Sequence, residues 1–465
     1  MKAFKKLIES LYKIILGGIS LRKVFYYLFV LVLISSVLAG CMSGGKMGGP
    51  SESTSSSGDK NTDAQGGKEI SIALHDSPWK KAIESIVPLY EKETGNKVKL
   101  NVFPYNGLYE KYVTASTTKS DEFDVAFVDV GWTPLLNSVG YLTPIKEVDP
   151  KFSLDPEILE YNYFTRWDKE KQYPTKDGDV VTLPVNGNLQ LLYYRKDILK
   201  DLGVEPPKTW DDVLNIAKKV HDPKKEMYGF VTGGQSGNRV SYDFLPFLYS
   251  HGGDILANPA EKDYTVIINN DAGKRAVDTW LELMTKYAPP GIADIGQSDV
   301  LSYLATGKAA MGLTVAAQFS FMDDPSYSVV KDKIDFVVPP AGEGGTPAST
   351  NGAFLMGIPQ GSQNKQGALD FMKWLTSKEA QIEFTKSGGI PVRKDIYTSE
   401  LADQPEFRYL KAMEEAAKYT YSRPAIKNYT ELEDLLGRSL NKILIGEFTP
   451  EKALEEVTKF KATSK

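Results

Sequence analysis

Hydrophobic and polar residues recur along the chain from Ile70 with two periods, one typical of strands and one typical of helices. Short apolar runs such as ISIAL (70–74) and FDVAFVDV (123–130) predict buried strands, because a strand covered on both faces loses its polar alternation. Between them, PWKKAIESIVPLYEKETG (78–95) has apolar residues at helical spacing and ends in Gly95, a typical C-cap. This order predicts an α/β fold with a mostly parallel sheet and crossover helices.

The later part of the chain continues the alternation. The segment VVTLPVNGNLQLLYYRKDIL (180–199) is predicted to be rich in strand, and TWDDVLNIAKKV (209–220) is predicted to be a helix with Thr209 as its N-cap. We expect further helix over SDVLSYLATGKAAMGLTV (298–315) and an entirely helical C-terminal region from Pro405.

Length and charge limit the architecture and the partners. A chain of 465 residues exceeds what one hydrophobic core usually organises, so at least two domains are expected. The segment PPAGEGGTPAST (339–350) is the clearest candidate boundary inside the globular part. The net charge is −5, but residues 1–40 carry +5 and leave −10 for the rest, so nucleic acid is not an expected partner.

The N-terminal region contains an apolar run followed by the single cysteine of the sequence. Sixteen uncharged residues (24–39) have a length between the core of a signal peptide and a membrane span. The tetrapeptide LAGC (38–41) then resembles the lipobox of secreted lipoproteins, which are cleaved before the cysteine and lipidated on it. We therefore predict a lipoprotein signal peptide over residues 1–40; an uncleaved anchor helix is the alternative.

Residues 41–68 are predicted to be a disordered tether that begins at the lipidated Cys41. Seven glycines, six serines and no aromatic residue in residues 42–68 cannot bury enough apolar surface to offset chain entropy. The tether would reach roughly 30 Å and hold the folded part at the extracytoplasmic face of the membrane. One cysteine excludes an internal disulfide and a Cys-based metal site, and the three histidines lie far apart, so we expect no metal and no cofactor.

A series of phrases across residues 69–465 resembles the extracellular solute-binding proteins of ABC importers, in the branch of the trehalose/maltose- and maltodextrin-binding proteins. In chain order the phrases are FDVAFVDVGW, LPVNGNLQLLYYRKDIL, PPKTWDDVLNIAKKV, FLPFLYSHGGDI, LATGKAAMGL, NGAFLMGIPQGSQNKQGALDFMKWL, SRPAIKNY and GEFTPEKALEEV. Each phrase alone is weak evidence. Their shared order, behind a lipobox and a polar tether, is a specific signal.

The resemblance implies a two-lobed periplasmic-binding-protein-like fold of type II, in which each lobe is a sheet flanked by helices and the ligand lies between the lobes. Lobe one would comprise residues 69–186 and 337–388, and lobe two residues 187–336 and 389–465. Crossovers near 186–190 and 336–340 would absorb the closing rotation. The expected partners are a small solute, which this resemblance implies to be a carbohydrate and more specifically a di- or oligosaccharide, and the ABC permease subunits with their cytoplasmic ATPase. The protein would be a monomer.

Sugar recognition requires aromatic rings for the C–H faces of the ring and planar polar side chains for its hydroxyls. By the resemblance, Asp129 and Trp132 match a strand-end Asp-x-x-Trp motif, and alternation would place Asn186 and Asn188 on one strand face. The further ligand-binding candidates implied by the family pattern are Trp79, Tyr242 (a stacking tyrosine), Asn351, Phe354 and Arg423. Turn, cap and core-packing roles are the alternatives for these residues.

One departure from the family pattern concerns the second lobe. Relatives carry a stacking Trp after GKAAM, where this chain has Ala316 and Ala317. Gln318, Phe319 and Phe321 are candidates to take its place from a shifted register. The resemblance therefore implies the fold without implying maltose or trehalose as the ligand.

Two other functions stay open at this point. A non-sugar solute would use the same fold; the pair Tyr193-Tyr194 resembles the paired tyrosines of iron-binding relatives, but adjacent strand residues point to opposite faces, so core packing explains the pair better. An exported lipoprotein glycoside hydrolase would need paired carboxylates. The sequence lacks G-x-S-x-G, H-E-x-x-H and phosphate-loop motifs, so we expect no catalysis.

Overall fold

The structure is a computed structural model that describes residues 69–463. The predicted signal peptide (1–40), the lipidation site Cys41 and the rest of the tether (to residue 68) lie outside the described residues. Within the described range, no helix has the length and apolar character needed to cross a membrane.

The described chain contains both strands and helices, which alternate in its first part. The strands are β1 (Glu69–His75), β2 (Lys97–Phe103), β3 (Val125–Asp129), β4 (Arg166–Trp167), β5 (Asp179–Val180), β6 (Thr182–Asn186), β7 (Gln190–Arg195), β8 (Leu256–Asn258), β9 (Asp263–Val266), β10 (Met311–Val315), β11 (Ile334–Val337), β12 (Ser349–Thr350), β13 (Phe354–Gly357) and β14 (Thr420–Tyr421). The helices are α1 (Lys80–Thr94), α2 (Tyr105–Thr118), α3 (Thr133–Ser138), α4 (Ile145–Val148), α5 (Lys196–Leu202), α6 (Trp210–Val220), α7 (Asn238–Ser250), α8 (Asp271–Glu282), α9 (Gln297–Ala305), α10 (Phe319–Met322), α11 (Lys365–Leu375), α12 (Lys378–Lys386), α13 (Lys394–Tyr397), α14 (Tyr409–Lys418), α15 (Tyr429–Leu444) and α16 (Pro450–Thr458).

The first sheet has five strands in the order β2-β1-β3-β13-β6. Strands β1, β2 and β3 run parallel, as predicted, and every residue of β3 is buried. The returning strand β13 pairs antiparallel with both β3 and β6. The carboxyl end of β3 and the amino end of β13 therefore meet at one edge, where Asp129 pairs with Phe354.

The second sheet has three antiparallel strands in the order β10-β7-β11. The prediction of a mostly parallel sheet is therefore wrong for this part of the molecule. Strands β10 and β11 both pair with β7 in the opposite direction, whereas parallel pairing requires every strand to enter from the same end. Helix α7 packs against α15 on this side, and α8 packs against α7 and α16.

Local sequence signals set several helix ends. Gly95 adopts the left-handed conformation after α1, and its backbone N–H bonds the carbonyl of Glu91, which confirms the predicted C-cap. Thr209 caps α6, and its hydroxyl accepts from the N–H of Asp212, whose carboxylate in turn accepts from the N–H of Thr209. This reciprocal arrangement is a capping box, so the predicted N-cap is confirmed.

Two expectations about helix extent are wrong. Residues 298–315 are helical only up to Ala305, and their second half forms β10. Gly307 takes a left-handed conformation between the two, which ends the helix. The C-terminal region is mostly helical but contains β14, which pairs with β12 in a small parallel sheet.

The two main sheets are joined where two segments lie side by side. Residues 187–189 connect β6 of the first sheet to β7 of the second, as predicted for this crossover. The return path runs from β11 through β12 to β13, so the second crossover lies further along the chain than the predicted 336–340. Leu189 pairs with Asn351 between these paths, and the N–H of Gly352 bonds the carbonyl of Asn188 at 2.9 Å.

Candidate functional site: a polar cavity between the two sheets

A cavity of about 630 Å³ opens between the two sheets. The first-sheet side contributes residues from the loop after β1, the ends of β3 and β13, and the start of α2. The second-sheet side contributes residues from α7 and α9 and the turn after β10. Its wall includes His75, Asp76, Ser77, Trp79, Tyr105, Asp129, Asn188, Gln235, Asn238, Arg239, Tyr242, Gln297, Ser298, Asp299, Gln318, Phe321, Gly352, Phe354 and Arg423. Strand ends of an α/β sheet are a common location for ligand sites.

Aromatic rings dominate the first-sheet side, and we call Trp79, Tyr105 and Phe354 with His75 the aromatic wall. The centroids of Phe354 and Trp79 lie 5.5 Å apart, and the ring of His75 stacks on Phe354 at 4.3 Å. Each of these side chains belongs to a strand end or to the residues that follow one. The wall can therefore cover the C–H faces of a solute.

A buried ion pair lies at the junction of the two sides. The Arg423 guanidinium donates to the Asp129 carboxylate, which also accepts from the N–H of Gly131 at 2.7 Å and the hydroxyl of Tyr105 at 3.1 Å. Arg423 also contacts Glu433 at 3.4 Å. Burial opposes the charge of Arg423, but Asp129 and the other acidic groups around it raise its pKa above the usual range.

A second buried ion pair lies on the second-sheet side. Arg239 donates to Asp243, whose carboxylate also accepts from the side chain of Gln190 at 2.8 Å and from the hydroxyl of Thr232 at 3.0 Å. Burial lowers the pKa of Arg239 to about 10, which leaves the guanidinium charged at neutral pH. Each of the two cavity guanidiniums therefore has a carboxylate of its own.

Four amide side chains line the second-sheet side, and we call Gln235, Asn238, Gln297 and Gln318 the amide wall. Gln318 accepts from the hydroxyl of Thr314 at 2.9 Å and donates to the carbonyl of Gln297 at 2.9 Å. The side chain of Gln297 accepts from Arg239 at 3.0 Å. These contacts fix planar groups with donors and acceptors that suit hydroxyls.

The structure brings seven of the residues predicted from the sequence into the cavity wall. They are Trp79, Asp129, Asn188, Tyr242, Gln318, Phe354 and Arg423. Tyr242 was expected to stack on the ligand, but its ring contacts two guanidiniums instead. Those of Arg239 and Arg423 lie over the ring, 5.2 and 5.4 Å from its centroid. The Tyr242 hydroxyl donates to the carbonyl of Thr350, so the ring is held in place and helps to position both guanidiniums.

The other four predicted residues lie behind the wall. Trp132 packs against Tyr105 with centroids 4.6 Å apart, and Phe319 stacks on Tyr409 at 3.6 Å. The side-chain oxygen of Asn186 accepts from the N–H of Ile390 at 2.9 Å. The side-chain oxygen of Asn351 accepts from the N–H of Ala353 at 2.9 Å, so both amides are hydrogen-bonded to backbone groups. All four predicted residues are themselves buried in the fold.

Asn186 and Asn188 therefore do not share a face, contrary to the expectation from alternation. Strand β6 ends at Asn186, and residues 187 and 188 belong to no strand, so the period of two does not extend to Asn188. Of the three candidates to replace the missing Trp, Gln318 and Phe321 line the cavity, whereas Phe319 faces the core.

Several wall residues were not predicted from the sequence. His75 is the last residue of β1 and Ser77 lies two residues beyond it, so the tendency of ligand sites to lie at the carboxyl ends of parallel strands could have indicated both. Arg239 and Gln297 come from helices α7 and α9. Their sequence context gives no signal, since only the packing of these helices brings them to the cavity.

Four polar atoms of wall residues are buried without a hydrogen-bond partner among residues 69–463: Nδ1 of His75, Oγ of Ser77 and the Nε atoms of Arg239 and Arg423. Such atoms usually have a partner, because an unsatisfied buried group costs about 1–3 kcal/mol. A water molecule or a polar ligand can supply the missing partners. Within the same range, no group of three or more His, Cys, Asp or Glu side chains is placed to hold a metal ion.

Comparison with known proteins relates this geometry to a family. The model of the family described as bacterial extracellular solute-binding protein matches residues 75–382. A probable ABC transporter-binding protein of Deinococcus radiodurans is 26% identical over 306 residues, which are 63% of this chain and 68% of that protein. A mannitol-binding protein of Pseudomonas aeruginosa is 23% identical over 318 residues, which are 68% of this chain and 70% of that protein.

Solved structures share the fold. An ABC transporter solute-binding protein of Agrobacterium radiobacter in complex with ribitol is 26% identical, with a TM-score of 0.75 over 84% of this chain and 98% of that chain. A maltose-bound protein of T. maritima is 24% identical, with a TM-score of 0.75 over the same shares of the two chains. The chain therefore has the two-lobed α/β fold of periplasmic solute-binding proteins, as the sequence predicted.

Proposed function

Since the chain belongs to the family of bacterial extracellular solute-binding proteins, we propose that it captures a neutral polyhydroxy solute, a sugar or a polyol, and delivers it chemically unchanged to the permease of an ABC importer. The observation that carries this proposal is the pairing of an aromatic wall with an amide wall across one open cavity. Aromatic faces cover C–H surface, and planar amides bond adjacent hydroxyls.

The balance of charge supports a neutral solute. Arg423 is paired with Asp129 and Glu433, and Arg239 is paired with Asp243; all five side chains are buried. Burial raises the pKa of Glu433, which favours its uncharged form. An anionic solute would have to compete with these carboxylates, and a cationic one with the guanidiniums. A hydroxyl can use the remaining donor and acceptor positions of both pairs without separating them.

The size of the cavity and the ligands of relatives support a small solute. A volume of about 630 Å³ lies within the usual range of roughly 300–1,000 Å³ for small-molecule sites. One relative binds mannitol and one solved structure contains ribitol. A di- or oligosaccharide is the longer alternative, and a non-sugar solute is the alternative in another chemical class.

The mechanism follows from the position of the cavity. The first sheet, up to β6 and again from β13, would belong to lobe one and the second sheet to lobe two, and the solute would contact both. Binding to both walls favours a closed arrangement over an open one, so the solute shifts the population toward closure. The paired crossovers near residues 187–190 and 349–352 would absorb the rotation.

The N-terminal region completes the proposal. Removal of residues 1–40 and lipidation of Cys41 would anchor the protein at the extracytoplasmic face of the membrane, with residues 42–68 as the tether. A monomer suffices, because one chain contributes both walls. Mass spectrometry of the exported chain tests this part: a diacylated or triacylated N-terminal cysteine supports it, and an intact residue 1 contradicts it.

A thermal-shift series tests the function. The full chain, purified in detergent, is titrated with ribitol, D-mannitol, maltose, L-lysine and inorganic phosphate. We expect at least one of the neutral solutes to raise the melting temperature, since a ligand at 100 times its Kd adds about 2.7 kcal/mol of stability. Stabilisation by lysine or phosphate alone would contradict a neutral solute.

The rival hydrolase is tested with the same samples. Maltose is incubated with the protein and followed by proton NMR. The proposal predicts an unchanged spectrum, because the protein binds and releases its solute intact. Appearance of glucose signals above a protein-free control would favour the hydrolase.

A further inference from the structure

The loop between β1 and α1, residues 75–79, lies entirely in the cavity wall. It begins at the carboxyl end of a central parallel strand and ends at Trp79 of the aromatic wall. Its exposed Asp76 forms an ion pair with Lys80 at 2.8 Å, outside the buried part of the loop. The buried part presents two polar side chains, His75 and Ser77.

The ring of His75 has a fixed orientation. It stacks on Phe354 with an interplanar angle of 22°, and it meets the rings of Trp79 and Tyr105 edge to face, with centroids 5.6 and 5.7 Å away. Three aromatic neighbours leave the ring little freedom to rotate. A nitrogen held in this way is preorganised for a partner, which lowers the entropic cost of binding.

The polar atoms of this loop lack partners in the protein. Neither Nδ1 of His75 nor Oγ of Ser77 has a hydrogen-bond partner in the part of the chain that the structure describes, although both atoms are buried. Packing alone would favour an apolar ring at position 75, because an unpaired buried nitrogen is costly. A partner supplied by the solute explains the choice of residue.

The surroundings keep the imidazole uncharged. Burial lowers the pKa of His75 to about 3, an effect that Asp76 only partly opposes. A neutral imidazole has one donor and one acceptor nitrogen, and a hydroxyl can satisfy either. The loop therefore offers hydrogen bonds without charge, in contrast to Arg239 and Arg423.

We propose that His75 and Ser77 are specificity-determining residues that hydrogen-bond a hydroxyl of the solute where it lies against Phe354 and Trp79. This inference rests on the proposed function and names the part of the cavity that recognises a hydroxyl without charge. Ser77 provides a second partner that can both donate and accept. A deoxy solute at this position would leave both atoms unsatisfied.

The test measures affinity by calorimetry in the full chain, using ribitol, D-mannitol and maltose as probes. H75F keeps an aromatic ring for the stack with Phe354 and removes both nitrogens. Its affinity for the probe that the wild-type protein binds most tightly should therefore fall about tenfold. H75N should recover part of that loss, because its amide again offers a donor and an acceptor. S77A removes Oγ of Ser77, and its affinity for the same probe should fall several-fold.

The matched control is H221F, because His221 is the C-cap residue that follows α6 and lies outside the cavity wall. Nitrogen NMR of histidine-labelled protein adds a readout that a purely structural role would not change. The His75 nitrogen signals should shift when the probe is added, whereas those of His221 should not. H75F should melt no lower than the wild-type protein, since it removes an unsatisfied nitrogen.

The outcomes separate the two proposals. Wild-type affinity in both H75F and S77A would overturn this inference and leave the proposed function intact. A wild-type protein that binds none of the three probes would overturn the choice of a sugar or polyol, and this inference with it. If H75F does not fold, S77A and the NMR shift decide the matter, because Ser77 is only half-buried and its loss removes a single hydroxyl.

Discussion

At the scale of single residues, the site depends on how closely Arg423 approaches the backbone after β3. A Cβ atom on Gly131 would lie 3.0 Å from the guanidinium carbon of Arg423 and 3.2 Å from Oδ1 of Asp129. Glycine at this position thus permits the buried ion pair and the N–H contact to Asp129. A buried pair of this kind fixes geometry more than it adds stability.

Replacing Gly131 by alanine should therefore displace Arg423 and weaken binding of the best neutral solute about tenfold, equivalent to about 1.4 kcal/mol. Calorimetric titration checks the affinity. Gly107→Ala is the matched control, because its Cβ would lie 3.7 Å from the nearest atom, an ordinary contact. Equal affinities in the two variants would show that the approach of Arg423 does not matter for binding.

The pH dependence of stability gives a second prediction at this scale. Burial lowers the pKa of His75 from 6.5 to about 3. Between these two pH values the imidazole is therefore protonated in the unfolded chain and neutral in the folded chain. Stability should fall by up to about 1.4 kcal/mol per pH unit from this group as the pH drops from 6.5 toward 3. Urea unfolding between pH 4 and 7 measures the slope.

His75→Phe should lose less stability over that range than the wild-type protein, because the variant lacks the titrating group. His221→Phe is the control with a histidine removed elsewhere. Identical slopes for wild type and His75→Phe would mean that the imidazole is protonated in the folded state as readily as in the unfolded one.

The resemblance to the solute-binding family implied Asp129 and Phe354, and the structure places both in the cavity wall, at paired positions of β3 and β13. The same resemblance implied Asn186 and Trp132. Asn186 instead accepts from the N–H of Ile390, and Trp132 packs against Tyr105, so both lie behind the wall. Whether a side chain faces the cavity therefore depends on tertiary packing, which the local sequence does not reveal.

At the scale of elements, the pattern located most long helices and strands. Helix α6 shows why: its apolar residues recur with a helical period, and Thr209 supplies a capping box. Strand β10 was missed, because GKAAMGLTV continues an apolar run that also fits a helix, and only Gly307 marks the break. The two-residue strands β12 and β14 are too short to leave a pattern.

Removing the cap of α6 tests the energetics of an element without touching the site. Thr209→Ala should lower the free energy of unfolding by about 1 kcal/mol, because the N–H of Asp212 loses its acceptor. Urea denaturation measures the change. Affinity for the best neutral solute should stay at the wild-type value, since Thr209 lies outside the wall of the polar cavity.

Thr117→Ala is the matched control for that experiment. Thr117 is exposed near the end of α2 and bonds only within its own helix in the described structure. Its replacement should change the free energy of unfolding by less than about 0.5 kcal/mol. A loss for Thr209→Ala no larger than for Thr117→Ala would contradict the role of the cap.

At the scale of the whole molecule, two sheets of different construction face one cavity, and narrow crossovers join them. The first sheet supplies aromatic groups and Asp129, and the second side supplies amides and Arg239. Neither wall can enclose a solute alone. This division of contacts links solute binding to the relative position of the lobes, because a solute bound to both walls stabilises their approach.

Small-angle X-ray scattering tests that central claim most directly. A chain that starts at residue 69 is measured alone and with a saturating amount of the neutral solute that stabilises it most. The account predicts a smaller radius of gyration with the solute, and no change with a solute that does not raise the melting temperature. An unchanged radius of gyration at proven saturation would contradict closure of the two lobes on the solute.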